Sequence, residues 1–286
     1  MRSDTGNSGN KTGDGKNDPS RDSLFTTAYR CLMECEPDVK MRLTRQAAEA
    51  WRQGRLELSA DAAPEAVTDP GRPQRPQLVH PRELPRRTLA HDRGRAALIH
   101  AVTHIEFNAV NLAWDAVYRF RGLPRGYYDD WVGVAEEEAR HFYALRGRLR
   151  DLGCDYGDFP AHNGLWDMAL RTAHDILARM ALVPRVLEAR GLDVTPGMIR
   201  RLRAAGDHET AAVLEVVLRE EVGHVAAGTR WFRHVCGERG LEPEAAFFDL
   251  LQEFLHGEIR CPLHLQARRE AGFSESELQR LKTLCR

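Results

Sequence analysis

The chain has 286 residues, 42% of them apolar, enough for one sizeable core or a main domain with extensions. Its 41 basic and 42 acidic residues balance, so net charge gives no case for nucleic acid or an acidic surface as partner. No run approaches the ~18 apolar residues of a membrane span, and the N-terminus lacks the apolar core of a signal peptide; the expected location is the cytoplasm.

Residues 1–22 are Gly, Asn, Ser, Asp and Lys with almost nothing to bury, and read as a disordered tail. Residues 23–58 read as two helices broken near Pro37, with Leu24, Tyr29, Leu32, Met41, Leu43 and Trp51 as their apolar set. Residues 59–90 carry Pro64, Pro70, Pro73, Pro76, Pro81 and Pro85 and read as an extended linker or wrap. From 91 to 256 the texture is helical, with no period-two run. Pro124 with Gly126, Gly153–Gly164, Gly191–Pro196 and Gly237–Pro243 punctuate it, predicting helices over roughly 91–121, 128–152, 165–190 and 207–236. A shorter helix is expected near 243–256, and a last one near 274–284 within a C-terminal extension, 257–286. The fold class is therefore all-α: a four-helix bundle over 91–256 with additional N- and C-terminal helices. The six cysteines (Cys31, Cys35, Cys154, Cys236, Cys261, Cys285) are scattered without a C-x-x-C pair and suit ordinary thiols in a reducing compartment. Cys31 and Cys35, four apart, read as two half-buried thiols on one helix.

Glu138 with His141, and Glu221 with His224, each form a Glu-x-x-His step, which puts both side chains on one helix face. That face is apolar. Trp131, Val134, Ala135, Phe142, Leu145 and Leu149 share the first stripe; Val213, Leu214, Val217, Leu218, Val225 and Phe232 share the second. Glu106 sits amid a third stripe of Leu98, Val102, Ala109, Ala113, Val117 and Phe120. A lone carboxylate on such a face costs several kcal/mol unless it is paired, protonated or bound to metal.

The spacing repeats. Glu106 precedes Glu138 by 32 residues and Glu188 precedes Glu221 by 33. Each half is a lone Glu followed by Glu-x-x-His on the next helix. The candidate metal ligands are therefore Glu106, Glu138, His141, Glu188, Glu221 and His224, the set that holds two iron or manganese ions in a four-helix bundle. Carboxylates are hard and can bridge two cations, and imidazole suits iron and manganese.

Other readings stay open. Glu136 reads as solvated. Glu137 and Glu220 lie four residues before their histidines and are alternatives to Glu138 and Glu221. Glu188 has a buried ion pair with Arg185 or Arg190 as its competing role. Pro184 is expected to kink that helix, and Gly191–Pro196 leaves its route toward Glu221 open. A third step, Glu253 with His256, has Asp249 and Arg260 on its face, and His256 reads as a helix C-terminal residue. His104, His174 and His208 read as surface or hydrogen-bonded residues. Trp114, Phe107, Phe142 and Trp231 mark a possible pocket, or core packing.

The stretches HIEFNAVNLAWD (104–115), EEEARHF (136–142), LVPRVLEARGLDVTP (182–196) and LREEVGHVAAGTRWF (218–232), with the lead PGRPQRPQLVHPRELPRR (70–87), resemble the ferritin-like superfamily. Within it the chain looks most like a bacterial family catalogued as a domain of unknown function. The likeness covers about 60–260 and implies a ferritin-like bundle with the six ligands named above. A neighbouring group is the tRNA hydroxylase that oxidises a prenylated adenosine, and such analogies transfer function poorly.

The expected function is that of a di-iron protein, with manganese as the alternative metal, acting as an O2-activating oxygenase or oxidase on an unidentified small molecule. An electron-donor protein is the expected redox partner, and no membrane is involved. The alternatives are a ferroxidase or iron-handling protein, against which the added segments argue, and a non-catalytic metal-stapled interaction module. RNA would need a basic face such as Arg146, Arg148 and Arg150 or Arg200, Arg201 and Arg203; such faces are usually solvated, so nucleic acid stays a minor alternative.

Overall fold

The computed structural model describes residues 22–59, 63–84 and 88–285. The predicted tail lies outside the described residues except for Asp22, as does Pro85 of the Pro-rich stretch. Asp22 departs from the expectation. It pairs with Leu56, and Ser23 with Glu57, in a short parallel ribbon of β1 (Asp22–Ser23) and β2 (Leu56–Glu57). The Ser23 hydroxyl accepts from the Phe25 amide at 3.2 Å and so caps α1 (Leu24–Met33). Pro37 then opens α2 (Pro37–Arg52), where a missing N–H leaves nothing unsatisfied. The Pro-rich segment that follows is extended and clings to the bundle: Trp166 donates to the Thr68 carbonyl, and Leu78 bridges Ala161.

The long helices stand close to their predicted limits. α3 (Asp92–Arg119) turns over 120–124 into α4 (Arg125–Asp151), and the two pack along each other as an antiparallel hairpin. The predicted helix over 165–190 is corrected. It comprises α5 (Gly164–Arg171), α6 (Ile176–Leu182), a π-helical segment Val183–Glu188, and α7 (Ala189–Ala204). The break at 172–175 has a polar cause. Thr172 Oγ1 turns back onto the Met168 carbonyl at 2.8 Å, and Asp175 caps α6 through the Leu177 amide at 3.0 Å. Beyond it the helix does not stop at Gly191–Pro196. Leu192, Ile199 and Leu202 are buried as α7 packs on α8 (His208–Glu238), and that burial overrides the helix-breaking residues. Pro184, expected to kink this helix, lies within the π-helical turn.

α9 (Pro243–Leu255), α10 (Leu265–Glu270) and α11 (Glu275–Thr283) close the chain, with α9 and α10 against α8. Cys261 and Cys285 form a disulfide, which corrects the reading of six ordinary thiols. Their spacing of 24 residues carries no pairing motif, so only the return of the chain beside α9 brings them together. The fold is an all-α helical bundle, with two apolar clusters among the described residues. One, with Ile99, Val102, Leu145, Leu149, Leu202 and Leu214, fills one end; the other, with Phe107, Val110, Ala135, Phe142 and Val225, fills the rest. Glu106 and Glu221 fall in sequence where one cluster gives way to the other, and Glu138 and His141 lie close to that change. No helix among the described residues is long and apolar enough to cross a membrane.

Candidate metal centre

Each long helix delivers its charged residues mid-length, where the apolar stripe leaves them no route to water. Glu106, Glu138, His141 and Glu221 are all buried, and each offers a ligand atom within 4.8 Å of the others. This buried cluster could hold a metal ion. His224 adjoins it, with Nδ1 2.9 Å from Glu138 Oε1 and 3.5 Å from Glu221 Oε1. Glu188, at the end of the π-helical segment, falls outside that closest group. It is buried all the same, and burial with the charges of Glu221 and Glu138 pushes its carboxyl up to about 8.

The two halves are arranged alike. His141 turns Nδ1 inward, 3.4 Å from both Glu106 Oε2 and Glu138 Oε2, and Nε2 outward, 2.8 Å from Glu220 Oε2. His224 turns Nδ1 inward and Nε2 outward, 2.8 Å from Glu137 Oε2. Glu137 and Glu220, open alternatives for Glu138 and Glu221, thus stand on the outer nitrogen of the histidine from the opposite helix. The reason is angular. Consecutive residues on a helix point about 100° apart, so when the second Glu of each pair faces the centre, the first faces the neighbouring helix. The signal was present as the doublet Glu-Glu-x-x-His in both halves, at 137–141 and 220–224. An outer carboxylate fixes the imidazole tautomer and aims Nδ1 at the centre.

The charges are unequal. Burial, reinforced by Glu138, raises the Glu106 carboxyl well above its ordinary value. Burial pushes Glu138 the same way, but the charge of His224 and the hydrogen bond from His141 outweigh it and hold Glu138 well below the usual range. Burial works against charge on His141, yet Glu106 and Glu138 lift it to about 11. His224 is likewise raised, against burial, by Glu221 and Glu138. Glu106 Oε2, Glu138 Oε1, Glu188 Oε2 and His224 Nδ1 are buried without a hydrogen-bond partner. Such groups are few in folded proteins and cost about 1–3 kcal/mol each. Bound cations would give such atoms partners, and hard oxygen donors with two imidazoles fit divalent iron or manganese.

The competing roles resolve as follows. Arg185 pairs with Glu277 at 2.5 Å, and Arg190 donates to the carbonyls of Arg260, Cys261 and Pro262, so both guanidinium groups are engaged away from Glu188. Glu253 and His256 are exposed, and His256 is the left-handed C-cap of α9. His104 is buried and hydrogen-bonded, its Nδ1 2.9 Å from the Tyr156 hydroxyl. Phe107, Phe142, Trp114 and Trp231 are core residues; Trp114 donates to Thr44 and Trp231 to Asp130. The basic runs are largely neutralised. Arg146 pairs with Asp38 and Asp155, Arg148 with Asp151 and Asp207, Arg150 with Asp155, and Arg203 with Glu215. A surface cleft lined by Arg95, Arg201, Ala204 and Ala205 includes none of the six predicted ligands.

An uncharacterized protein of Haemophilus influenzae is 44% identical over 213 residues, covering 72% of this chain and 74% of its own length. No solved structure matches the chain significantly. The cluster of buried carboxylates and imidazoles therefore sits inside a region with a defined kinship, because residues 33–279 match the family described as protein of unknown function (DUF455), and the chain belongs to it.

Proposed function

We propose that this is a di-iron carboxylate protein of the ferritin-like superfamily, with manganese as the alternative metal, that activates O2 in an oxygenase or oxidase reaction on a small molecule. One observation carries the reading: buried carboxylates and two inward-facing imidazole nitrogens converge, with buried polar atoms lacking hydrogen-bond partners that cations would complete. Glu106, Glu138 and His141 would hold one ion, and Glu188, Glu221 and His224 the other, with Glu138 near both imidazoles. When bound, the metal pair would supply Lewis acidity and electrons for O2 chemistry. The rest belongs to the chain. Glu220 and Glu137 hold the outer nitrogens of His141 and His224, so neither ring is free to turn. The apolar clusters on either side keep bulk water from the charged layer.

An electron-donor protein and a cytoplasmic location complete the proposal. Against a storage cage stand the added helices. α1 and α2 pack on α3 and α4, and α9 and α10 pack on the other half, so outer faces of these helices are partly covered within the chain. Protein reconstituted anaerobically with Fe2+ is expected to hold about two ions per chain by elemental analysis, and fewer than ~0.3 overturns the di-metal reading. His141→Ala and His224→Ala are expected to lose metal and His256→Ala to keep it. Loaded protein that leaves dissolved O2 untouched overturns the O2 step and leaves a metal-stapled module.

A further inference from the structure

Glu188 is delivered differently from the other predicted ligands. Glu106, Glu138 and Glu221 sit in uninterrupted α-helix, whereas Glu188 ends a π-helical segment. One residue inserted into an α-helix turns everything beyond it by about a residue step, ~100°, so this wide turn decides which way Glu188 faces relative to α6. A π-turn is a rare, weakly held conformation and needs outside support.

Support comes from two residues. Toward α8, the Pro184 ring lies so close to Gly228 that any Cβ there would overlap it. Arg185, wholly buried, runs between α8 and the C-terminal helices. Its guanidinium lies 4.0 Å from the ring centre of Phe247, 4.5 Å from Phe273 and 4.8 Å from Phe232, and donates to Glu277 Oε1 at 2.5 Å. Glu277 is fixed in turn, since its other oxygen accepts from the Ser274 amide in the capping box of α11. Arg185 Nε and Nη1 have no acceptor, so the single bond to Glu277 and the aromatic cage define its place. Arg185 and Glu188 are three residues apart in the same wide turn, so what pins one orients the other.

We propose that Glu277 and Arg185 are positioning residues: the C-terminal helices grip the π-turn through this caged ion pair and thereby aim Glu188 at the metal cluster. The proposal rests on the reading of Glu188 as a metal ligand. The test is a cycle of Glu277→Gln, Glu188→Gln and the double variant, with Glu277→Asp as the conservative replacement. Each is titrated anaerobically with Fe2+, and with Co2+ to read its coordination-sensitive visible absorption.

Glu277→Gln is expected to weaken the second ion about tenfold to hundredfold and to shift the Co2+ spectrum toward that of Glu188→Gln, and Glu277→Asp to recover part of both. In the Glu188→Gln background, Glu277→Gln is expected to cost nothing further in metal affinity, because both act through one carboxylate. Additive losses, or wild-type affinity in Glu277→Gln and Glu277→Asp alike, overturn the positioning role. Wild-type protein that binds no second ion overturns the reading of the centre itself, a separate result visible before any variant is made.

Discussion

Asp115 and Glu138 are both carboxylates with no exposed surface, and they stand in opposite surroundings. Asp115 is surrounded by donors. Arg179 reaches Oδ2 at 2.5 Å and Arg119 reaches Oδ1 at 2.6 Å, while Arg179 also donates to Thr172 and to the Ala169 carbonyl. Glu138 faces two imidazoles and further acids, with one oxygen lacking a hydrogen-bond partner. The first site is balanced by the chain itself. The second has excess acid and an oxygen without a hydrogen-bond partner, an imbalance that a bound cation would offset. Burial alone therefore does not distinguish the two carboxylates; how completely each is paired does.

The largest test of that contrast is to remove one partner on each side. Asp115→Ala leaves Arg179 buried without its counter-ion and is expected to cost about 3–5 kcal/mol in denaturant unfolding, with or without metal. A loss under about 1 kcal/mol would mean the Asp115 site is no more self-sufficient than the acidic one.

Next in size is metal itself. It binds the folded arrangement, so saturating Fe2+ is expected to stabilise by about 3–4 kcal/mol and to raise the melting temperature. The gap between metal-free and loaded protein depends on pH. Glu188 has a folded value raised to about 8, so its stabilising contribution is complete below the unfolded carboxyl range and is lost as pH rises through 8. His141, raised to about 11, has the same sign, its contribution being lost only toward that value. Glu138, depressed, contributes in the opposite sense, at the acid end. Metal-free protein is expected to lose stability from about pH 5 to pH 8, and the Glu188→Gln variant to lose less. Melts in which the metal-free protein gains stability over that window overturn this account of the site.

The outer carboxylates are expected to have a smaller effect. Glu137→Gln and Glu220→Gln keep their shape and lose their charge on His224 and His141; each is expected to weaken Fe2+ about 10- to 100-fold in titrations without unfolding the protein. Unchanged affinity in both would show that they are surface acids beside the site. Smallest is Glu106→Gln in metal-free protein, where one repelling charge goes at nearly constant volume. Its stability is expected to match or slightly exceed wild type, while its metal affinity falls. A clear loss would place Glu106 in the same class as Asp115.

Much of this was legible in the sequence because it is periodic. The limits of α3, α4, α8 and α9 follow from apolar stripes ended by Pro and Gly, and Glu106, Glu138, His141 and Glu221 were readable as charges on faces that had to be buried. Other features depended on contacts distant in sequence. The break at Thr172–Asp175 in the helix expected over 165–190 carries no Gly or Pro signal, because side-chain hydrogen bonds make it. The helix continued through Gly191 and Pro196 because packing on α8 outweighs local propensity.

The sequence by itself determined an all-α chain and two Glu-x-x-His steps on buried faces, since helical period and side-chain polarity are local properties. Only the tertiary structure decided that Glu137 and Glu220 cross to the opposite histidines, that Cys261 meets Cys285, and that Arg185 leaves Glu188 for Glu277. Each of these depends on which helix lies alongside which, and that is fixed by packing of the whole bundle rather than by neighbours in the chain.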